Sequence, residues 1–470
     1  MQKQVNSLIT FKNAQGVQVR ATLLKLSKKS IVFEVYNPAL IVQLSEVLED
    51  LTLEWNENLV YKGKAVVSNL VNTGLMLVVS ATLVEQLKDF AEKSATPSEL
   101  EEKTIDFIND WNRSHDLQPG YQVIVGELRA FLNELSRWVE QFDTAEMLVE
   151  PGDEVTYLEA EYFQAMVKPL IKRLGELFMQ FEREASLIKE EELTIHKVFA
   201  QNDLHPLMLR SPFFFRSYTK PLGYAGDYEM VNMMTRSEGR EGPTSYAQII
   251  NSYFYNIGPT RAHRNRIDIL YNYLCDVADQ AKKNNVKVSI LNIGCGPALE
   301  IQKFIRDYDR PDYCDFTLVD FNQETINYTS NRLKVVAKEC DKEINVEFVL
   351  QSVYTLLQQV ADSKNDQNDN SFDFVYCAGL FDYLSDRVCA RLLKLFYQWA
   401  KDGAFVLSTN VCPNNPSRWV MEHIIDWYLI HRGEEEMSRI APPRGIHKLY
   451  LDETSYNVFL ETKKQADANR

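Results

Sequence analysis

Hydrophobic and polar residues alternate in short runs along the first part of the chain. Residues 17–24, 30–36 and 75–80 place apolar side chains at about every second position. Because successive side chains of a strand point to opposite faces, this period of two predicts strands with one buried face. Several such strands within residues 1–90 indicate a small β-barrel or sandwich.

The period changes farther along. Polar residues 92–98 break the alternation and predict a linker. From 97 to 210, apolar residues recur at steps of three and four, which predicts a bundle of two to four amphipathic helices. The apolar stripes comprise Leu128, Phe131, Leu132, Leu135 and Val139, then Phe163, Met166, Leu170, Leu174, Phe178 and Phe181. We interpret them as bundle core or a dimer seam, with a substrate tunnel as the alternative.

Strand-like and helix-like segments then alternate to the end of the chain. The predicted strands lie at 288–293, 315–322, 346–352, 372–379 and 402–410. Strands separated by helices lie parallel in a doubly wound sheet. Two last runs, 446–452 and 456–461, predict an antiparallel hairpin that completes it. We therefore expect an α/β domain over residues 211–470.

A glycine turn follows the first of these strands, in the stretch LNIGCGPALE. Gly294 and Gly296 let the backbone bend sharply and let a ligand approach it. The helix that follows offers unpaired N–H groups and a partial positive charge. Leu299 stands where a dinucleotide-binding loop has its third glycine, which disfavours a redox fold. The turn therefore predicts a site for a nucleotide or a related molecule.

The next strand ends in Asp320, where a carboxylate can accept both hydroxyls of a ribose. This series of strand ends resembles the class I S-adenosylmethionine-dependent methyltransferases. Asn292 departs from that pattern, which has an acidic residue two positions before the first glycine. Pro297 and Ala298 replace its last glycine. The resemblance implies a Rossmann-like sheet and S-adenosylmethionine as cofactor, bound by Gly294, Cys295, Gly296, Pro297, Asp320, Phe321, Gln351, Ser352, Ala378 and Gly379.

Residues 211–230, SPFFFRSYTKPLGYAGDYEM, form a second informative stretch. Aromatic and charged residues alternate, and Pro221, Gly223 and Gly226 argue against a regular helix. Rings that exclude water beside charged groups are typical of a loop that covers a pocket. We predict a lid here, with a packed connection between domains as the alternative.

That stretch, the glycine turn, FDFVYCAGLFDYLSDR and an expected helix at 419–432 together resemble one bacterial methyltransferase family. The family is associated with biosynthesis of the extracellular factor 3-hydroxypalmitic acid methyl ester, a quorum signal. The likeness covers residues 205–465 and implies methyl transfer to an acyl carboxylate.

The front of the chain resembles a PilZ domain, a family that often binds cyclic di-guanylate. Arg20 precedes LSKKS in the expected order. Lys25 and Ser30, however, replace residues of the ligand motif. We therefore favour a structural or docking barrel over a second-messenger sensor.

Methyl transfer to a carboxylate depends on positioning more than on a strong base, because the acid is already ionised at neutral pH. An arginine must hold the acid, and the candidates are Arg261, Arg264, Arg266 and Arg432. Our catalytic candidates are Tyr224, Arg266, Tyr383 and His263. For Tyr255, Glu422 and His423 we favour structural roles.

The net charge and the spacing of the cysteines limit the kinds of ligand and partner that we expect. The net charge of −15 and the lack of a basic block argue against nucleic-acid binding. The seven cysteines show no CxxC spacing, which predicts no metal site and favours a reducing compartment. No signal peptide and no apolar run of roughly 20 residues is present. We expect a soluble cytoplasmic protein without integral membrane association.

Three functions stay open. The leading hypothesis is methylation of a carboxylate, with a small-molecule or acyl substrate. The second is methylation of a protein carboxylate or a small-molecule hydroxyl. The third is a regulatory protein with an inactive methyltransferase fold, whose barrel (1–90) and bundle (97–210) recruit partners or form a homodimer.

Overall fold

The computed structural model describes residues 7–13, 16, 18–27, 29–35, 42–55, 58–72, 77–85, 87, 97–114, 117–146, 160–236, 239–362 and 371–466. Most of the predicted linker at 92–98 lies outside these described residues, as do most of a polar tract at 361–370, for which we predict a surface insertion, and the last residues of the tail. The described residues form a barrel, a helical layer and a seven-stranded sheet.

Six antiparallel strands close the barrel in the order β1-β2-β3-β6-β5-β4. They are β1 Ser7–Lys12, β2 Gln18–Leu26, β3 Ser30–Val35, β4 Val47–Trp55, β5 Asn58–Asn72 and β6 Leu77–Leu83. Along β3, Ile31, Phe33 and Val35 point inwards and are at most 1% exposed, while the residues between them are half-buried. The period of two therefore predicted the barrel correctly.

The helices after the barrel are α1 Pro97–Ser114, α2 Pro119–Glu146, α3 Ala160–Ala185 and α4 Leu193–Met208. The stripes of α2 and α3 face one core, where Leu128, Leu174 and Phe181 are fully buried. The interpretation of these stripes as bundle core is confirmed. Among the described helices, none is long and apolar enough to cross a bilayer.

The 211–230 stretch is more helical than predicted, since it contains α5 Pro212–Thr219 and α6 Tyr228–Met233. Ser211 accepts a hydrogen bond from the Phe214 N–H at the start of α5. Asp227 caps α6 in the same way. These caps stabilise two short helices around the turn at 220–227, a contribution that the proline and glycine argument left out.

The sheet has the strand order β12-β13-β11-β10-β7-β8-β9. Its strands are β7 Val288–Ile293, β8 Cys314–Asp320, β9 Asn345–Leu350, β10 Phe372–Cys377, β11 Ala400–Val411, β12 Ile446–Leu451 and β13 Asn457–Lys463. Strands β7 to β11 run parallel, and β13 pairs antiparallel with β11 and β12. This confirms the doubly wound sheet with its hairpin. The strand order reverses beside β7, so a ligand crevice is expected at its carboxyl end.

The remaining helices are α7 Ser245–Asn256, α8 Gly258–Asn284, α9 Leu299–Asp307, α10 Gln323–Glu339, α11 Val353–Asp362, α12 Asp386–Trp399, α13 Arg418–Ile424 and α14 Glu434–Ile440. The helix expected at 419–432 is thus wrong in length, because it ends at Ile424 and Asp426 takes a left-handed φ of 53°. Helices α7 and α13 share the core of α2 to α4. Because helices on both sides of residue 210 share one core, a domain boundary at that residue stays a proposal.

Candidate active site

A cavity of about 220 Å³ lies at the carboxyl edge of β7, β8 and β10. Every cofactor-binding and catalytic candidate in the sequence lines it, except Ser352. The Ser352 hydroxyl accepts the Thr355 N–H instead, so this residue caps α11. The remaining candidates, predicted from separate segments of the chain, are brought together in one place.

The glycine turn forms the floor of the cavity. Gly294 and Gly296 have φ of 72° and 50°, a left-handed conformation that favours glycine. A Cβ added at Gly296 would meet nothing within 4 Å, which leaves room for a ligand against the backbone. Ala298 also takes a left-handed φ, 49°. Ala298 therefore adopts a conformation that favours glycine, at the position where the methyltransferase pattern has its last glycine.

Asp320 is buried beside this turn at the end of β8. Its Oδ2 accepts the Gly296 N–H at 3.1 Å, and its Oδ1 accepts the Asn322 N–H at 3.0 Å. Burial raises the pKa of the carboxyl to about 6, against the opposing effect of these N–H donors. At neutral pH the group is ionised and can accept further hydrogen bonds from a diol.

Sequence reasoning missed a second carboxylate, that of Glu300 in the first turn of α9. Its Oε1 accepts hydrogen bonds from Asn292 Nδ2 at 3.1 Å and from the Tyr376 hydroxyl at 2.8 Å. All three residues line the cavity. Asn292 stands where related loops have an acid, so the missing charge was a signal that another carboxylate lies nearby.

Arg266 and His263 form a pair on α8, one turn apart, at the wall of the cavity. Arg266 Nη2 donates to His263 Nδ1 at 2.7 Å. Because a guanidinium only donates, Nδ1 must accept, and the neutral ring carries its proton on Nε2. The Nε2 atom is buried and has no hydrogen-bond partner in the part of the chain that the structure describes. Burial and the neighbouring arginines lower the His263 pKa, which keeps the ring neutral.

The two tyrosine candidates occupy different sides of the cavity. The Tyr383 hydroxyl accepts a hydrogen bond from Trp427 Nε1 at 3.0 Å, in the segment 425–430. The Tyr224 ring packs against Phe321, with 5.0 Å between ring centroids. Tyr224 therefore lies next to the residue that follows Asp320, and its catalytic role stays a prediction.

Several other candidates lie away from the cavity lining. Arg432 is 1% exposed and forms an ion pair with Asp386, outside the cavity lining. Arg264 donates to the Met234 and Tyr255 carbonyls. His423 Nδ1 shares a hydrogen bond with the Tyr121 hydroxyl inside the helical core. Its neighbour Glu422 pairs with Arg418.

The opposite wall comes from distant parts of the chain that sequence reasoning did not connect. Its apolar residues include Phe213, Met234, Phe254, Ile257, Val420, Met421, Ile425 and Leu429. Gln43, from the segment that enters β4 of the barrel, also lines the cavity. No local motif marks these residues, because only tertiary packing places them together.

Residues 290–403 match the family model of a methyltransferase domain. A search of curated proteins found no significant match. The crystal structure of a possible exported protein from Bordetella parapertussis aligns with 66% of this chain and 100% of its own, at 12% identity and a TM-score of 0.41. Magnesium protoporphyrin IX methyltransferase from Synechocystis PCC 6803, with bound SAM, aligns with 57% of this chain and 97% of its own, at 12% identity and a TM-score of 0.32.

N-methyltransferase NodS from Bradyrhizobium japonicum WM9 aligns with 51% of this chain and 98% of its own, at 10% identity and a TM-score of 0.30. These remote similarities assign no substrate to this chain. The family match and the crevice built by the glycine turn and Asp320 define the class: the protein is an S-adenosylmethionine-dependent methyltransferase. The match runs from β7 to the start of β11 and leaves the barrel and the helical layer outside it.

Proposed function

We propose that this enzyme transfers the methyl group of S-adenosylmethionine to the carboxylate of a 3-hydroxy fatty acid, giving a methyl ester. The observation that carries the proposal is Arg266. Its guanidinium lines the cavity, close to Gly379, and forms no ion pair with any residue that the structure describes. Arg266 is partly buried, and Asp382 and Glu300 lie near enough to favour its charged form. One of its five N–H donors bonds His263 Nδ1, so the guanidinium keeps donors for an anionic ligand.

The cofactor, when bound, supplies a methyl group that its sulfonium already activates. We assign its ribose to Asp320, whose carboxylate faces the cavity, and its chain to the backbone of the glycine turn. The rings of Phe321 and Tyr224 would flank the adenine. Cys295, Pro297, Gln351, Ala378 and Gly379 complete this wall.

The acceptor would occupy the opposite, mainly apolar wall. Phenylalanine, methionine and isoleucine side chains there suit a hydrocarbon chain and exclude water from the carboxylate. Arg266 would hold the carboxylate, and the His263 Nε2–H would donate to one of its oxygens. Aligning the attacking oxygen with the methyl carbon at about 3 Å then supplies most of the rate.

The test compares Arg266→Gln with Arg261→Gln, an exposed arginine at the head of the same helix. Methyl transfer from labelled S-adenosylmethionine to 3-hydroxy acids is measured together with cofactor affinity by calorimetry. Loss of a charged hydrogen-bonding partner should raise the acceptor KM by roughly 10- to 100-fold in Arg266→Gln, while Arg261→Gln behaves as wild type. Cofactor affinity should stay unchanged in both.

If Arg266→Gln weakens cofactor binding as much as it raises the acceptor KM, the guanidinium holds the amino-acid end of the cofactor. Arg266 would then not be the residue that binds the acceptor carboxylate. If the label appears only on protein or on hydroxyl compounds, the fatty-acid proposal is wrong in its acceptor and the methyl transfer stands.

We also propose that the barrel is PilZ-like with a structural role. The closed antiparallel barrel is compatible with that family, whereas Lys25 and Ser30 depart from its ligand motif. The cysteines are all unpaired, which supports a cytoplasmic location. A homodimer through the barrel or the helical layer stays a proposal.

A further inference from the structure

The barrel reaches the cavity through the segment 42–46, which precedes β4. Gln43 is 8% exposed and lies in the cavity wall. Its backbone N–H donates to the Glu46 carboxylate at 2.6 Å, which fixes the turn of this segment. A polar side chain of the barrel is therefore part of a cavity that the sheet and helices otherwise build.

Ser45 forms hydrogen bonds that connect this segment to the barrel on one side and to the active site on the other. Towards the barrel, its N–H donates to the Val67 carbonyl at 2.9 Å. Towards the active site, its hydroxyl donates to the Tyr428 carbonyl at 3.1 Å and accepts the Tyr428 N–H. Val47 adds a backbone hydrogen bond to the Gly223 carbonyl at 2.8 Å. These bonds hold Gln43 between the 220–227 turn and the segment 425–430.

The segment 425–430 contacts the cavity on one side and the barrel core on the other. Ile425, Trp427 and Leu429 line the cavity. Tyr428 and Ile430 pack against the hydrophobic core of the barrel. Since residues of both sets come from these six positions, a single stretch of backbone separates the barrel core from the active site. A shift of the barrel would therefore shift the cavity wall.

We propose that the barrel is part of the acceptor site and that Gln43 determines acceptor specificity by hydrogen bonding to a neutral polar group of the acceptor, such as its hydroxyl. The proposal rests on the acyl acceptor proposed above. A side-chain amide both donates and accepts, so it matches a hydroxyl. Its neighbours in the wall, such as Trp427 and Leu429, are mainly apolar, and an amide left unpaired there disfavours acceptors that lack the hydroxyl.

The experiment uses the full chain with Gln43→Leu, which keeps the side-chain volume and removes the amide. KM and kcat are measured for a fatty acid with and without the 3-hydroxyl, and cofactor affinity by calorimetry. Loss of one neutral hydrogen bond should raise the KM of the hydroxylated acid roughly 3- to 10-fold, whereas the KM of the plain acid should fall, because no amide is then left unpaired beside it. Cofactor affinity and kcat should stay as in the wild type. Gln18→Leu, at an exposed position of β2, is the matched control.

Gln43→Asn, which keeps the amide on a shorter side chain, should recover part of the discrimination, and it replaces Gln43→Leu if the latter fails to fold. Equal KM changes for both acids, or no change for either, would overturn the proposal for Gln43. A wild-type enzyme that turns over neither acid overturns the acyl acceptor as well, whereas an active wild type with a neutral Gln43→Leu overturns only the role of the barrel.

Discussion

The two walls of the cavity are built in different ways. The wall to which we assign the cofactor, here called the cofactor wall, comes from successive strand ends of one sheet, with Gly294 and Gly296 after β7 and Asp320 at the end of β8. The acceptor wall combines Gln43 of the barrel with helices α7 and α8 and the segment 425–430. One wall is local in the chain, and the other depends on contacts between residues far apart in sequence.

This difference separates two tasks. In a doubly wound sheet, parallel strands bring their carboxyl ends to one edge whatever the rest of the chain does. A shared cofactor can therefore be held by a shared local pattern. The acceptor wall lies where the helical core, the barrel core and the sheet meet, so it can change with any of them.

The largest expected effect comes from a substitution that changes only the cofactor wall. Asp320→Ala removes the charged acceptor for a ribose diol, and two charged hydrogen bonds are together worth enough to weaken S-adenosylmethionine binding by at least roughly 100-fold. Calorimetry measures this directly.

Asp315→Ala is the control for Asp320→Ala, because Asp315 lies on the same strand at the end away from the cavity. It should bind the cofactor as wild type does. Cofactor affinity that survives Asp320→Ala would mean that the ligand sits elsewhere, and the division of the cavity into two walls would fail.

A smaller effect should follow from pH. Burial raises the pKa of Asp320 to about 6, so the carboxylate is lost as the pH falls through that value. If binding needs the ionised form, affinity for S-adenosylmethionine should fall roughly tenfold between pH 7.5 and pH 5. For stability the sign is reversed, because a carboxyl whose pKa is raised by folding favours the folded state when protonated.

Asp382 is a control for this pH test, since burial also raises its pKa to about 6 and it lines the same cavity. Asp382→Asn should leave the pH dependence of cofactor binding intact, whereas Asp320→Asn should abolish it. If Asp382→Asn abolishes the pH dependence and Asp320→Asn keeps it, the cofactor binds beside Asp382, and our assignment of the cofactor wall is wrong.

The same division explains what the sequence could predict. Strand periodicity located the barrel and the sheet, and the glycine turn and Asp320 located one wall of the cavity, because each signal lies within one short stretch. Asp320 could be placed from its strand end alone. Nothing in the residues around Gln43 indicates a cavity, since that position is fixed by hydrogen bonds between Ser45 and Tyr428.

The wrong predictions have local causes that composition does not show. The helix at 419–432 was expected from its apolar residues, but Asp426 breaks it in a left-handed conformation and pairs with Lys197 at 2.7 Å. The helices in 211–230 form because Ser211 and Asp227 cap them. In both cases single polar side chains, and not the hydrophobic pattern, decided where the helices begin or end.

The smallest predicted effect concerns the contact that closes the acceptor wall. A Cβ added at Gly226 would lie 2.5 Å from the Tyr383 hydroxyl, which accepts a hydrogen bond from Trp427. Gly226→Ala should therefore lower the free energy of unfolding by about 1 kcal/mol through overpacking. It should also raise the acceptor KM a few-fold and leave cofactor affinity unchanged. Chemical denaturation and steady-state kinetics measure these effects.

A double-mutant cycle shows whether this contact is the cause. In a Tyr383→Phe background the hydroxyl is gone and the next ring atom lies 3.4 Å from the added Cβ, so Gly226→Ala should cost less. Gly175→Ala, in α3 with nothing within 4 Å of its Cβ, is the control and should be neutral or stabilising. Equal costs in both backgrounds would mean that the backbone of the turn, and not its contact with Tyr383, sets the acceptor wall.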